Sequence, residues 1–345
     1  MHWSTNLPAK EPGGHHSRTL LGVLLLVSLT QGAIAQQETI YMSVLSVFPT
    51  RHETGAASRA GLLVSTDHGL TWQPRGWRDY IRVFYTEEAI DGTLWSACGN
   101  GVLRSTDDGK RWKITTGWGV TEVLKVKASE TQPSLVFAST PYGVFRSTDT
   151  GGTWEKKVQG FDRPFSGDLC IDRSDPHRVI AATEVGVYLS EDAGEHWTAV
   201  ALQGCGIRVV VQDPHDTKRF WVGTDDRGVF CSTDGGRHWM QRAEGLNQGA
   251  VYAIALHPER EGVVYAGTWG AGVCVSTDGG SRWEQRSQGL TDLNVHALLV
   301  LPSDPHVVFA GTLNRGLFRS ADGAQTWSYH CQDDSQIWGL SVCRR

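Results

Sequence analysis

The stretch STDGGSRW, residues 276–283, is one of seven versions of a single octet. The others are STDHGLTW from 65, STDDGKRW from 105, STDTGGTW from 147, SEDAGEHW from 190, STDGGRHW from 232 and SADGAQTW from 320. Their opening serines, Ser65, Ser105, Ser147, Ser190, Ser232, Ser276 and Ser320, lie 40, 42, 43, 42, 44 and 44 residues apart. A period in the low forties that is filled with short β segments predicts a β-propeller, one blade per period. Around the octet at 276 the period reads as four strands: VYAIAL alternates, VVYAGT follows the polar turn HPERE, GVCVS enters the octet, and RWEQRS leaves it. Helical periodicity is essentially absent.

The ends of the array predict how the ring closes. TIYMSVLS, from Thr39, resembles the second strand of a repeat, and QIWGLSV, 336–342, resembles the innermost strand that the first repeat lacks. The expected fold is therefore all-β: a seven-bladed propeller of four-stranded blades over residues 36–345, closed by the C-terminal strand completing the first blade. Closure removes the free strand edges that an open array would leave for aggregation.

Within the octet the residue types point to scaffolding. The serine ends the third strand, and the aspartate two places on folds back to accept turn N–H groups. The glycine supplies a positive φ without a Cβ penalty. The tryptophan opens the fourth strand, buries its ring against the turn and directs its indole N–H to an acceptor.

The remainder of the composition narrows the class. The chain has 345 residues, 40% hydrophobic and 20% charged, with a net charge of −5. Lys10 and Arg18 precede the apolar run LLGVLLLVSLT at 20–30, and Ala33 and Ala35 follow. This order predicts a secretory signal peptide over 1–35, and hence a periplasmic or secreted protein with no membrane span after cleavage. Without that segment the net charge is about −6. No basic run is present, which argues against nucleic acid or an anionic membrane surface as a partner. The seven cysteines, Cys98, Cys170, Cys205, Cys231, Cys274, Cys331 and Cys343, include no CxxC and suggest no zinc site. Cys331 and Cys343 flank the terminal segment and are candidates for a bridge, while most of the others read as small buried residues. His177, His215, His257 and His306 occupy equivalent turns of separate blades and read as turn residues, so no metal or cofactor is expected.

Six octets match Ser-x-Asp-x-Gly-x-x-Trp in full, and the seventh departs at Ala324, where a looser turn is expected. The pattern resembles the Asp-box, or BNR repeat, of sialidases, xyloglucan-active glycoside hydrolases, sortilin-type receptors and photosystem II assembly factor-like proteins. The resemblance covers nearly the whole chain after residue 35. It implies a structural role for Asp67, Asp107, Asp149, Asp192, Asp234, Asp278 and Asp322, on the face opposite the functional one. Sialidases carry an Arg-Ile-Pro motif that is missing here, xyloglucanases pair two propellers, and sortilin-like receptors have a larger ring and a cysteine-rich module. The chain is most similar to the photosystem II assembly factor-like family, whose single seven-bladed ring binds protein partners.

Strand order puts the loops after the second and fourth strands on the face away from the octets. That face collects Trp77, Arg78, Trp118, Tyr142, Phe161, Asp162, Arg163, Asp225, Asp226, Arg227, Trp269 and Arg315, with the loop 48–60 expected to overhang it. The repeats diverge most here, as a ligand face requires, and Trp77, Trp118, Arg163, Arg227, Trp269 and Arg315 are the candidate binding residues for a protein or glycan. Two functions follow: a noncatalytic interaction platform, or a carbohydrate-active hydrolase pairing Asp162 or Asp168 with Asp225 or Asp226. No nucleophile elbow, HExxH, phosphate loop or dinucleotide fingerprint occurs to support another enzyme class.

Overall fold

The computed structural model describes residues 38–46, 60–76, 82–246 and 249–344. The expected signal peptide, nearly all of the 48–60 loop, and Trp77 and Arg78 lie outside the described residues. Those residues form seven sheets, each of four antiparallel strands, and no helix among them is long and apolar enough to cross a membrane. Numbering blades in chain order, blade 1 contains Glu38–Ser46, Gly61–Ser65 and Gln73–Pro74 and takes Ser335–Arg344 as its innermost strand. The C-terminal strand pairs with Glu38–Ser46 from Arg344 opposite Glu38 to Ser335 opposite Ser46, closing the ring as the sequence predicts.

Burial peaks one strand out from the hub, where the innermost strands are partly open to the channel, and is lowest at the rim. The second strands of blades 2 to 7, such as Leu94–Cys98 and Val264–Thr268, are buried at every residue because neighbouring blades cover both of their faces. The outermost strands are two to four residues long and mostly exposed. Short, polar edges of this kind offer little template for edge-to-edge pairing. Seven apolar clusters fill the seams between adjacent blades. The cluster between blades 7 and 1 contains Ile337 and Leu340 from the closing strand together with Ile40, Met42 and Phe309.

Each octet is a closed hydrogen-bonded loop with the same geometry. The serine hydroxyl donates to the aspartate Oδ1 at 2.7–2.9 Å. It also accepts the N–H of the residue four places on at 2.8–2.9 Å. The aspartate Oδ1 then accepts the N–H two residues further, at 2.8–3.0 Å. Hydrogen bonds to the ionised form hold these carboxyls down: Asp149 sits at about 2 through the Thr153 N–H and then the Ser147 and Thr153 hydroxyls. These side chains are thus permanently ionised acceptors at ordinary pH.

The octet also clasps neighbouring elements. In blade 4, Ala193 N–H donates to His177 O, joining the octet turn to the turn between the first two strands, and Gly235, Gly279 and Gly323 make the same bond in later blades. The glycine at the fifth position of the octet has a second reason beyond its φ. A Cβ on Gly69 would lie 2.3 Å from the Phe309 ring, one on Gly151 2.9 Å from Trp95, and one on Gly280 2.9 Å from Trp221. Each of those rings belongs to the second strand of the preceding blade, so the octet doubles as an inter-blade contact.

Three details differ from the sequence reading. Ala324 adopts φ 68°, and its N–H still reaches Ser320 Oγ at 2.9 Å. The turn is therefore no looser, since the methyl group is fully buried in the cluster between blades 6 and 7, which offsets the left-handed strain. The indole N–H groups of Trp112, Trp239, Trp283 and Trp327 find carbonyl acceptors, but those of Trp72, Trp154 and Trp197 find none among the described residues. Finally, Cys331 is a free thiol, so no bridge joins it to Cys343. Cys331 lies on the outermost strand of blade 7 and Cys343 on the innermost strand of blade 1.

Candidate binding face and central channel

The octets and the turns between first and second strands share one face. On that face His257 caps its own turn, its Nδ1 accepting the N–H groups of Glu259 and Arg260 at 3.1 and 3.0 Å. His215 Nε2 lies 3.0 Å from His257 O, and His177 is exposed beside Asp175. No group of three His, Cys, Asp or Glu arranged to hold a metal ion occurs among the described residues.

The opposite face carries the predicted candidates that fall among the described residues. Trp118 stands wholly in solvent and Trp269 is half exposed, at 101% and 51%. Arg163 lies 3.7 Å from Glu184, Arg227 3.8 Å from Asp226, and Arg315 3.9 Å from both Asp333 and Asp334. Ion pairs this open contribute little to stability and leave the guanidinium groups accessible. Phe161 instead belongs to packing: its ring stacks on Trp197 at 4.9 Å and meets Tyr188 edge-on.

Sequence reasoning missed the channel at the hub, a cavity of about 760 Å³. In six of the seven innermost strands the register breaks at one position, leaving Phe84, Gly167, Arg208, Tyr252, His296 and Trp338 without a ladder partner. A bulge re-aims the side chain of the extra residue, and all six residues line the channel. Blades 5, 6, 7, 1 and 2 thereby build a continuous arc. The Arg208 guanidinium lies 5.4 Å from the Tyr252 ring centre, Tyr252 stacks on His296 at 4.3 Å, His296 meets Trp338 at 4.8 Å, and Trp338 meets Phe84 at 5.4 Å. Burial, followed by the charge of Arg208, pulls the His296 pKa down to about 4, so the imidazole in the arc is neutral at physiological pH. Tyr252 also approaches Trp269 at 6.0 Å, which links the arc to the exposed face.

The cations beside this arc already face carboxylates. Arg208 binds Asp225 through both Nε and Nη2, the latter at 3.0 Å. Lys127 Nζ lies 2.6 Å from Glu87 Oε2 and donates to Tyr85 OH at 2.9 Å, and Lys125 Nζ lies 3.5 Å from Asp168 and over the Tyr85 ring. Asp168 is buried and accepts the N–H groups of Leu169 and Val210. Asp162 accepts the Tyr188 hydroxyl at 2.9 Å, and Asp226 accepts from Cys205 Sγ at 3.3 Å. Burial pushes the Cys170 thiol, which lines the channel, up to about 12, so it carries no thiolate at neutral pH.

No family model matches the chain. In an 88-residue alignment that covers 22% of this chain and 11% of the other, it is 39% identical to a probable oligoxyloglucan-reducing end-specific xyloglucanase of Neosartorya fischeri. Among solved structures, a GH74 enzyme of Niastella koreensis superposes with a TM-score of 0.63 at 16% identity, over 86% of this chain and 55% of that one. YCF48 bound to a D1 peptide superposes with a TM-score of 0.52 at 18% identity, over 73% of this chain and 83% of that one. Likeness at these identities shows the shared propeller fold.

Proposed function

We propose that this chain is an exported, noncatalytic propeller that binds a protein partner on the face opposite the octets, in the manner of an assembly factor. The observation that carries this reading is that the exposed indoles of the described residues, Trp118 and Trp269, both lie on that face, beside the accessible Arg163, Arg227 and Arg315. Tryptophan and arginine dominate binding energy where a partner desolvates them. The peptide carried by YCF48 in a related fold supports the same reading, as does the extracellular setting named for another propeller of this fold. The octets, read as BNR/Asp-box repeats, serve the scaffold alone. Export removes residues 1–35 in this proposal, so intact-mass measurement of the exported protein should give a chain beginning at Gln36, and a retained segment would contradict it.

A glycoside hydrolase is the second reading, favoured by the short xyloglucanase match. It needs two converging carboxylates, one protonated and one available. The engagement of Asp168 with Lys125 and two backbone N–H groups, and of Asp225 with Arg208, argues for positioning roles instead.

The two readings order the variants differently. Truncating Trp118, Arg163, Arg227 or Trp269 to alanine is expected to weaken partner capture by about 2 kcal/mol or more at the central residues, with melting temperatures near wild type. Changing the more exposed Asp162 or Asp226 should mainly alter the association rate. Surface-plasmon measurements on a partner isolated from the native envelope fraction decide between these orders, and undiminished capture by all four truncations would sink the platform reading.

A further inference from the structure

One of the bulged positions that line the channel is a glycine. Around the hub the re-aimed residues are Phe84, Arg208, Tyr252, His296 and Trp338 along one arc, and Gly167 across from it in blade 4. Five of the six re-aimed residues carry large side chains, whereas Gly167 adds none, and the nearest atoms to a Cβ there belong to the Phe165 ring at 3.4 Å. The arc does not end inside the channel, since Tyr252 passes the contact on to the half-exposed Trp269. A ligand that uses the whole track must therefore extend from the outer face into the hub. The charge pattern limits what enters. Beside the arc, Arg208, Lys125 and Lys127 are matched by Asp225, Asp168 and Glu87, so a charged group seated there would be desolvated with no unpaired counterion within the arc. Arg173, which bonds Gln212 and the Asp213 carbonyl, lines the channel from the turn after the first strand of blade 4, at the octet end. An uncharged ring or branched aliphatic group gains apolar burial against the aromatic faces and disturbs none of these pairs.

We infer that the central channel receives an uncharged aromatic or aliphatic side chain from an extended internal segment of the protein partner, with Gly167 as the gap that admits it and Trp338 as its principal contact. The inference rests on the protein-binding reading of the outer face and adds the part of the partner that is read and the place where it is read. Neither chain terminus of the partner is required, because a terminal carboxylate or amine beside the arc would find Arg208, Lys125 and Lys127 already paired.

A displayed library of random linear peptides, panned on the purified full-length protein, tests this. Enriched sequences should share an uncharged aromatic or aliphatic residue, and synthetic versions with acetylated and amidated ends should bind as well as free ones. Gly167→Leu should reduce their affinity about tenfold or more by filling the gap. A Cβ at this position meets nothing nearer than 3.4 Å, and the glycine does not hold a left-handed φ, so the melting temperature should stay near wild type. Trp338→Ala should reduce affinity similarly. If binding depends on Trp118 or Trp269 but ignores both channel variants, the channel inference falls and the face reading stands. Enriched peptides that require a free terminus or a charged residue at the channel also overturn the inference. A library that yields no binding sequence counts against the channel and the face alike.

Discussion

Deleting residues 335–345 is expected to abolish cooperative folding of the ring. The deletion removes the innermost strand of blade 1 and leaves Glu38–Ser46 as an unpaired edge at the hub. Ile337 is fully buried and Leu340 nearly so, each contributing about 1.5–3 kcal/mol of apolar burial. The backbone ladder and the contacts of the same strand with blades 2 and 7 are lost with them. Against a net stability of about 5–15 kcal/mol, that loss is most of the margin. Circular dichroism melts and soluble yield measure it, and a truncated chain that melts within a few degrees of the intact one would show that the seam is dispensable.

Trp283→Ala should cost about 3–5 kcal/mol. The ring is 7% exposed in the cluster between blades 5 and 6. Its indole N–H donates to Arg242 O of the preceding blade at 2.8 Å and to Gly280 O at 3.1 Å. The same change at Trp72, Trp112 or Trp154, whose rings are only half buried, should cost less, because less apolar area is removed from water. Urea unfolding of the four variants gives the order directly. Equal losses at all four positions would mean that the octet tryptophan acts within its own hairpin and not between blades.

The scaffold was legible because its determinants repeat. A serine, an aspartate, a glycine and a tryptophan at fixed offsets seven times over specify a turn, and TIYMSVLS and QIWGLSV show their places by resembling strands in complete repeats. The second role of the glycine was not legible, since the Phe309, Trp95 and Trp221 rings that exclude a Cβ lie in other blades. The channel was hidden for a related reason. In IRVVVQ, VYAIAL and VHALLV the second residue reads as part of ordinary alternation, and only the register break turns Arg208, Tyr252 and His296 into the hub. Written under one another, those strands do carry a signal: one position holds arginine, tyrosine and histidine while its neighbours stay aliphatic. On the outer face, strand order gathered Trp118 and Trp269, which are exposed, together with Phe161, whose ring stacks on Trp197 because of the path of its loop.

The central claim, that the ring binds and does not cleave, is tested most directly by incubating the purified protein and its Asp225→Asn and Asp168→Asn variants with xyloglucan oligosaccharides and a wider glycan panel, and measuring new reducing ends. The account predicts no release above the buffer control from any of the three. Release by the wild-type ring that disappears with either carboxylate would contradict it.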